Sequence, residues 1–163
     1  MAHVFVSLGS NINRQKNTLL GVKALQQHFG LLQLSSLVES DAVGFAGAAF
    51  YNMVIAFHTE FSVQQVADIL RTIEYTYGRK KNAKKFSPRT LDLDMLLFDD
   101  LIIESPVQIP RNEITANAFV LFPLSEIAGH FYHPVNKLSY KQLWQNYDKS
   151  TQPLRLIDFN WQG

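Results

Sequence analysis

The chain has 163 residues, 47% of them hydrophobic and 12% aromatic, enough apolar mass for the core of one domain spanning 1–163. A formal net charge of +1 argues against a general polyanion binder, and the absence of cysteine excludes disulfides, thiolate metal sites and a cysteine nucleophile. The start, Met1 to Gly9, lacks the basic and long apolar segments of a signal peptide, and no apolar run nears the roughly 20 residues of a membrane span, so a cytoplasmic protein is expected.

Residues 3–8 read as a short buried strand that ends at the turn cluster Gly9-Ser10-Asn11. A helix fits about 13–29, where Leu19, Val22, Leu25 and Phe29 recur at helical spacing and Gly30 stands ready to end it. Strands fit about 31–39 and 50–59, the latter rich in β-formers, with a small-residue loop at 44–49 between them. Ser62 and Gln65 form a capping box before the stripe Val63, Val66, Leu70, Ile73 and Tyr77, and Gly78 closes that helix.

A lysine-rich loop, 79–87, leads into an acidic strand at 91–98. Asp99-Asp100 then reads as a turn into a short strand at 101–103, and two helical segments follow at 119–128 and 140–147, Ser139 capping the second. The order β-α-β-β-α-β predicts an α+β, ferredoxin-like split βαβ fold: an antiparallel sheet with helices on one side and extra C-terminal elements.

The acidic strand carries the strongest chemical signal. A period of two puts Asp92 and Asp94 on one face with Leu96 and Phe98, and Leu91, Leu93, Met95 and Leu97 on the other. Two neighbouring carboxylates repel unless a cation lies between them, and oxygen-only ligands point to Mg²⁺. The alternative is a pair of solvent-facing positions on an edge strand. Arg79 to Phe86, with Arg89, gathers six of the fifteen lysines and arginines; beside a Mg²⁺ site this suggests a nucleoside triphosphate, and alone it reads equally well as a solvated loop. No P-loop is present, and His3, His28, His58, His130 and His133 lack zinc-type spacing.

The string Ser-Pro-Arg-Thr-Leu-Asp-Leu-Asp-Met-Leu-Leu-Phe at 87–98 resembles the signature of the 6-hydroxymethyl-7,8-dihydropterin pyrophosphokinase family of folate biosynthesis. Further markers are Leu8-Gly-Ser-Asn11, Tyr51-Asn52, Ile73-Glu74, Gly78-Arg79 and Phe119 to Leu124, in family order as far as about residue 134. The resemblance implies transfer of pyrophosphate from ATP to the hydroxymethyl oxygen of a reduced pterin, releasing AMP. It implies two Mg²⁺ ions on Asp92 and Asp94, with Arg79 and Arg89 also catalytic. Glu74, Arg79, Lys81, Arg89 and Arg111 would bind ATP, and Ser40, Val43, Phe50, Asn52, Phe86 and Phe119 the pterin. ATP and the pterin would be its partners, without nucleic acid or membrane, and the chain is expected to act as a monomer.

Four positions depart from the pattern. Arg111 follows Pro110 where the family has histidine, and Asn117 stands where arginine is common. Asp41 replaces a proline after Ser40, and Phe86 a tryptophan. Arginine keeps the charge and adds a planar fork, so phosphate binding survives in altered form. Two other readings follow: a paralogue acting on a modified pterin, and a non-catalytic ligand- or RNA-binding module. The second lacks the aromatic string of an RNA-binding sheet and leaves the acid pair unexplained.

Overall fold

Three long segments rich in apolar residues form strands, and the computed structural model, which describes residues 1–42, 47–77 and 90–161, joins them with shorter ones in one antiparallel sheet. The elements are β1 (Ala2–Ser10), α1 (Arg14–Phe29), β2 (Gln33–Leu34), β3 (Leu37–Ser40), β4 (Phe50–Thr59), α2 (Val63–Thr76), β5 (Asp92–Phe98), α3 (Glu113–Ala116), α4 (Ala118–Ala128), α5 (Tyr140–Asn146) and β6 (Arg155–Ile157). The sheet runs β5-β1-β4-β3-β6, and β2 also pairs with β4. Without β2 and β6 this is the expected split βαβ order.

One face of the sheet is closed by α1 and α2. Val4, Val6 and Leu8 of β1, Met53, Ile55 and Phe57 of β4, and Leu93 and Met95 of β5 pack there against Val22, Leu25, Val66, Leu70 and Ile73. Helix α1 rests close to the strands: a Cβ on Gly21 would lie 2.9 Å from Leu91 Cδ1 and 3.0 Å from Leu8 Cδ1, so a larger residue would force those buried side chains to repack. Phe29 stacks on Phe57 with ring centroids 4.0 Å apart. The capping box of α2 forms as the sequence predicts, Ser62 accepting from Gln65 N–H and Gln65 from Ser62 N–H.

The other face is not bare, as a one-sided sandwich would have it. The C-terminal helices cover part of it, and Phe5, Val54, Ala56, Leu96 and Leu97 pack against Ile114, Val120, Leu121, Leu124 and Tyr140. A bulge at Leu96 of β5, opposite the step from Phe5 to Val6 of β1, shifts the register, so Met95 faces Val6 and Leu97 faces Phe5. The expected period of two therefore stops at Leu96. Leu96 and Leu97 both join the α4 side, and Phe98 turns to the α1–α2 side.

Three further elements differ from expectation. The strand expected over 31–39 breaks into β2 and β3. The strand expected at 101–103 is a single bridge between Ile103 and Ile109. Residues 148–161, which carry no strong pattern, supply β6, which pairs with β3, and Gln152, whose Oε1 accepts from Ala118 N–H at the start of α4 (2.8 Å). Among the described residues no helix is long and apolar enough to cross a membrane.

Candidate active site

Strand register assembles the site on the sheet face that α4 covers only in part. Asp92 lies opposite Gly9, Gly9 opposite Asn52, and Asn52 opposite Val38, which makes one row across β5, β1, β4 and β3. Asp94 lies one step along, opposite Ser7. The pleat turns Asp92, Asp94, Asn52 and Phe50 to the same side, while Leu93, Tyr51 and Met53 enter the core beneath. Both carboxylates are partly exposed, and Leu93 between them is 4% exposed.

Asn52 is held in one orientation. Its Nδ2 donates to Ser40 Oγ at 2.8 Å in a buried contact that pins the side chain against β3. Oδ1 is turned toward Gly9, where a Cβ would stand 3.1 Å from it and 3.7 Å from Phe50 Cδ1. Glycine therefore leaves a shallow floor between the carboxylates and an amide edge beside an aromatic ring. Ser40 is steadied by its neighbours: Glu39 binds Arg14 (2.7 Å) and Arg155 (2.6 Å), and Asp41 binds Arg155 (3.0 Å). The hydrogen bond from Arg155, with help from Arg14, holds the Glu39 carboxyl below its ordinary pKa.

At the outer edge of β5 lies a cavity of about 230 Å³, lined by Arg71, Glu74, Asp94, Val107 and Arg111 among others. Glu74 is 6% exposed, and its Oε2 accepts the N–H of Leu93 at 2.9 Å. Burial and this bond make it a clamp between α2 and β5 as well as a lining residue. Arg111 Nη2 lies 3.4 Å from Asp94 Oδ1, and its Nε lies 3.1 Å from Glu113 Oε2 at ion-pair rather than hydrogen-bond angles.

The structure thus brings Asp92, Asn52, Phe50 and Ser40 to one face, and Glu74, Asp94 and Arg111 to one adjoining cavity. Phe119 is the second residue of α4, partly buried against the core of that same face. Asn117 turns its Oδ1 to Gln152 Nε2 at 3.1 Å, a structural contact at the position where the family pattern favours arginine. Val43, Arg79, Lys81, Phe86 and Arg89 lie outside the described residues. Arg71 and Glu113 were missed. Arg71 precedes Glu74 by three residues on one helix, a spacing that places the two on neighbouring positions of the helix surface.

Among the described residues no group of three or more histidine or acidic side chains converges as a closed metal cage. Two partly exposed aspartates with oxygen donors do fit Mg²⁺, which commonly takes one or two protein carboxylates and completes its shell with phosphate and water.

An antiparallel α+β sheet bearing two carboxylates and a fixed amide on one open face defines the class. The profile of the 7,8-dihydro-6-hydroxymethylpterin-pyrophosphokinase family matches residues 5–129, and the chain belongs to that family. It is 30% identical over 145 residues to the 2-amino-4-hydroxy-6-hydroxymethyldihydropteridine pyrophosphokinase of Aquifex aeolicus, covering 87% of this chain and 90% of that one. Identity to the enzyme of the same name from Pseudomonas aeruginosa is 35% over 130 residues, covering 77% and 80%. Among solved structures the fold is similar to an HPPK-DHPS in complex with substrates (TM-score 0.73, 11% identity), covering 92% of this chain and 44% of that longer one. It is also similar to the wild-type Plasmodium falciparum HPPK-DHPS (TM-score 0.70, 12% identity), covering 90% and 44%.

Proposed function

We propose that the chain transfers the pyrophosphoryl group of ATP to the hydroxymethyl oxygen of 6-hydroxymethyl-7,8-dihydropterin, releasing AMP, as a step of folate biosynthesis. The observation that carries this reading is the single row in which Asp92, Gly9 and Asn52 share one sheet face. A flat bicyclic ring lies over the glycine floor beside Phe50 and under Phe119. Its amide edge meets Asn52, whose Oδ1 accepts a ring N–H. That edge contact fixes the ring, so the hydroxymethyl arm reaches toward the aspartates.

Attack of that hydroxyl on the β-phosphorus needs positioning and charge neutralisation more than covalent help. Asp92 and Asp94 would hold Mg²⁺, which supplies charge neutralisation on the phosphates and a more acidic attacking hydroxyl. Arg71 and Arg111 line the cavity beside Asp94 and add fixed positive charge for the triphosphate. Arg79, Lys81 and Arg89 complete the basic set in this reading, with Val43 and Phe86 toward the pterin. Glu74 acts by holding β5, and so the carboxylates, against α2.

Incubation with ATP, Mg²⁺ and 6-hydroxymethyl-7,8-dihydropterin, followed by chromatography of the nucleotides, tests the reaction. AMP is expected, and its formation falls about a hundredfold or more in Asp92→Ala and Asp94→Ala. ADP as the product would overturn pyrophosphoryl transfer, and no nucleotide turnover would overturn the enzyme.

A further inference from the structure

Arg111 contacts two carboxylates at once. Nη2 is 3.4 Å from Asp94 and Nε is 3.1 Å from Glu113, and the side chains of Arg111, Asp94 and Glu113 are 29%, 29% and 40% exposed. Its backbone is fixed, because its N–H donates to Leu96 O at 3.1 Å on the same strand that carries Asp94. The side chain can therefore redistribute between the two acids while its Cα stays in place. Neither contact saturates the guanidinium: among the described residues Nε is buried without an aligned acceptor. A planar fork with spare donors suits phosphate oxygens.

We propose that Arg111 is a resident counter-cation of Asp94, and that Glu113 is the positioning residue onto which it moves when a divalent cation takes that carboxylate. This deepens the pyrophosphokinase reading and rests on it for the identity of the ligands. Without nucleotide, the guanidinium neutralises Asp94 and repels an incoming cation, so the metal alone binds weakly. With nucleotide, the phosphates give Arg111 new acceptors, and the carboxylate passes to the metal. Metal and nucleotide affinity are thereby coupled through one side chain, and by linkage each raises the other by the same factor. A neutral side chain at 111 would remove this cation from competition with the metal for Asp94.

The test is titration of the full chain with Mn²⁺, without nucleotide, read by the electron paramagnetic resonance of free Mn²⁺. Arg111→Met is expected to bind Mn²⁺ about five- to tenfold more tightly than the parent. Arg111→Lys keeps the charge and stays within about twofold of the parent. Glu113→Gln, a half-exposed change that leaves the fold intact, weakens binding, because Arg111 then remains on Asp94. In the double variant, the Glu113→Gln effect disappears, which a simple loss of negative charge near the metal would not produce. Repeating the titrations with a non-hydrolysable ATP analogue reduces the gap between Arg111→Met and the parent.

Unchanged or weaker Mn²⁺ binding by Arg111→Met overturns the proposal, and so does an undiminished Glu113→Gln effect in the double variant. Both readouts are independent of turnover. A chain that shows the predicted Mn²⁺ pattern yet makes no AMP overturns the pyrophosphokinase reading alone, and the reverse result overturns only the counter-cation.

Discussion

The two faces of the sheet are built from the same strands and have opposite characters. Beneath, Val6, Leu8, Met53 and Leu93 meet α1 and α2 in continuous apolar contact, with Gly21 letting the helix settle onto the strands. Above, α4 and α5 fill one end with Val54, Leu96 and Leu121, and the other end keeps Asp92, Asp94, Asn52 and Ser40. A period of two thus writes core and chemistry into alternate residues of one segment. Stability is expected to reside on one face and turnover on the other, and substitutions at adjacent positions separate the two.

The largest contrast is between neighbours on β5. Asp94→Ala should lower kcat by a hundred- to thousandfold, by analogy with the loss of a transition-state charge contact, and change stability by under about 1 kcal/mol because the group is partly exposed. Leu93→Ala should remove about 2–4 kcal/mol of stability and leave the turnover of the folded fraction nearly intact. Denaturant melts alongside steady-state kinetics read both. Equal stability losses in the two variants would erase the distinction between the faces.

Two glycines on opposite faces give the next contrast. Gly21→Ala should cost about 1–3 kcal/mol, because its Cβ would press on Leu91 and Leu8. Gly9→Ala should cost about 1 kcal/mol, because its Cβ would press on Asn52 Oδ1 at 3.1 Å, while raising the KM for the pterin about tenfold. A Gly9→Ala enzyme with ordinary KM would remove the floor from the binding site.

A smaller effect sharpens the role of Glu74. Glu74→Ala strands the buried N–H of Leu93 and should cost about 1–3 kcal/mol, whereas Glu74→Gln keeps an acceptor and loses less. Matching melts for the two would show that the bond to Leu93 is not what the carboxylate contributes.

The smallest effect lies far from the site. His133 accepts from Val135 N–H and Asn136 N–H at Nδ1 (both 3.1 Å), so it is held neutral, and burial pushes its pKa below 6.5. In the pH range just under 6.5 the unfolded chain binds that proton and the folded one does not. The contribution of His133 is therefore complete above pH 6.5 and is lost as pH falls through its folded-state pKa. His3, lowered by burial and by the facing His58, acts in the same direction. Stability measured between pH 7 and 5 should fall less steeply in His133→Asn than in the parent.

Much of this was legible in the residue pattern, and the reasons are local. The capping boxes at Ser62 and Ser139 need only residues three apart, and both form. The shared face of Asp92 and Asp94 follows from strand period. What stayed hidden depends on partners distant in sequence. The bulge that sends Phe98 to the α1–α2 side arises from pairing with β1, and β6 exists because Leu37–Glu39 offers it an edge. The bond from Leu93 N–H to Glu74 joins residues nineteen apart, so the structural role of that carboxylate beside its expected place near the nucleotide is invisible to local pattern. The Asp94–Arg111–Glu113 arrangement requires the segment after β5 to fold back along it, which no periodicity announces.

One further consequence concerns strand β5 as the end of the sheet, bonded to β1 on one side only. An uncovered outer strand invites pairing with another chain and growth of the sheet by addition. Here the N–H of Leu93 is taken by Glu74 and the carbonyl of Leu96 by the N–H of Arg111. The residues that line the cavity therefore also blunt the sheet's margin, so the protection against strand-by-strand self-association and the walls of the cavity are the same few side chains and backbone groups.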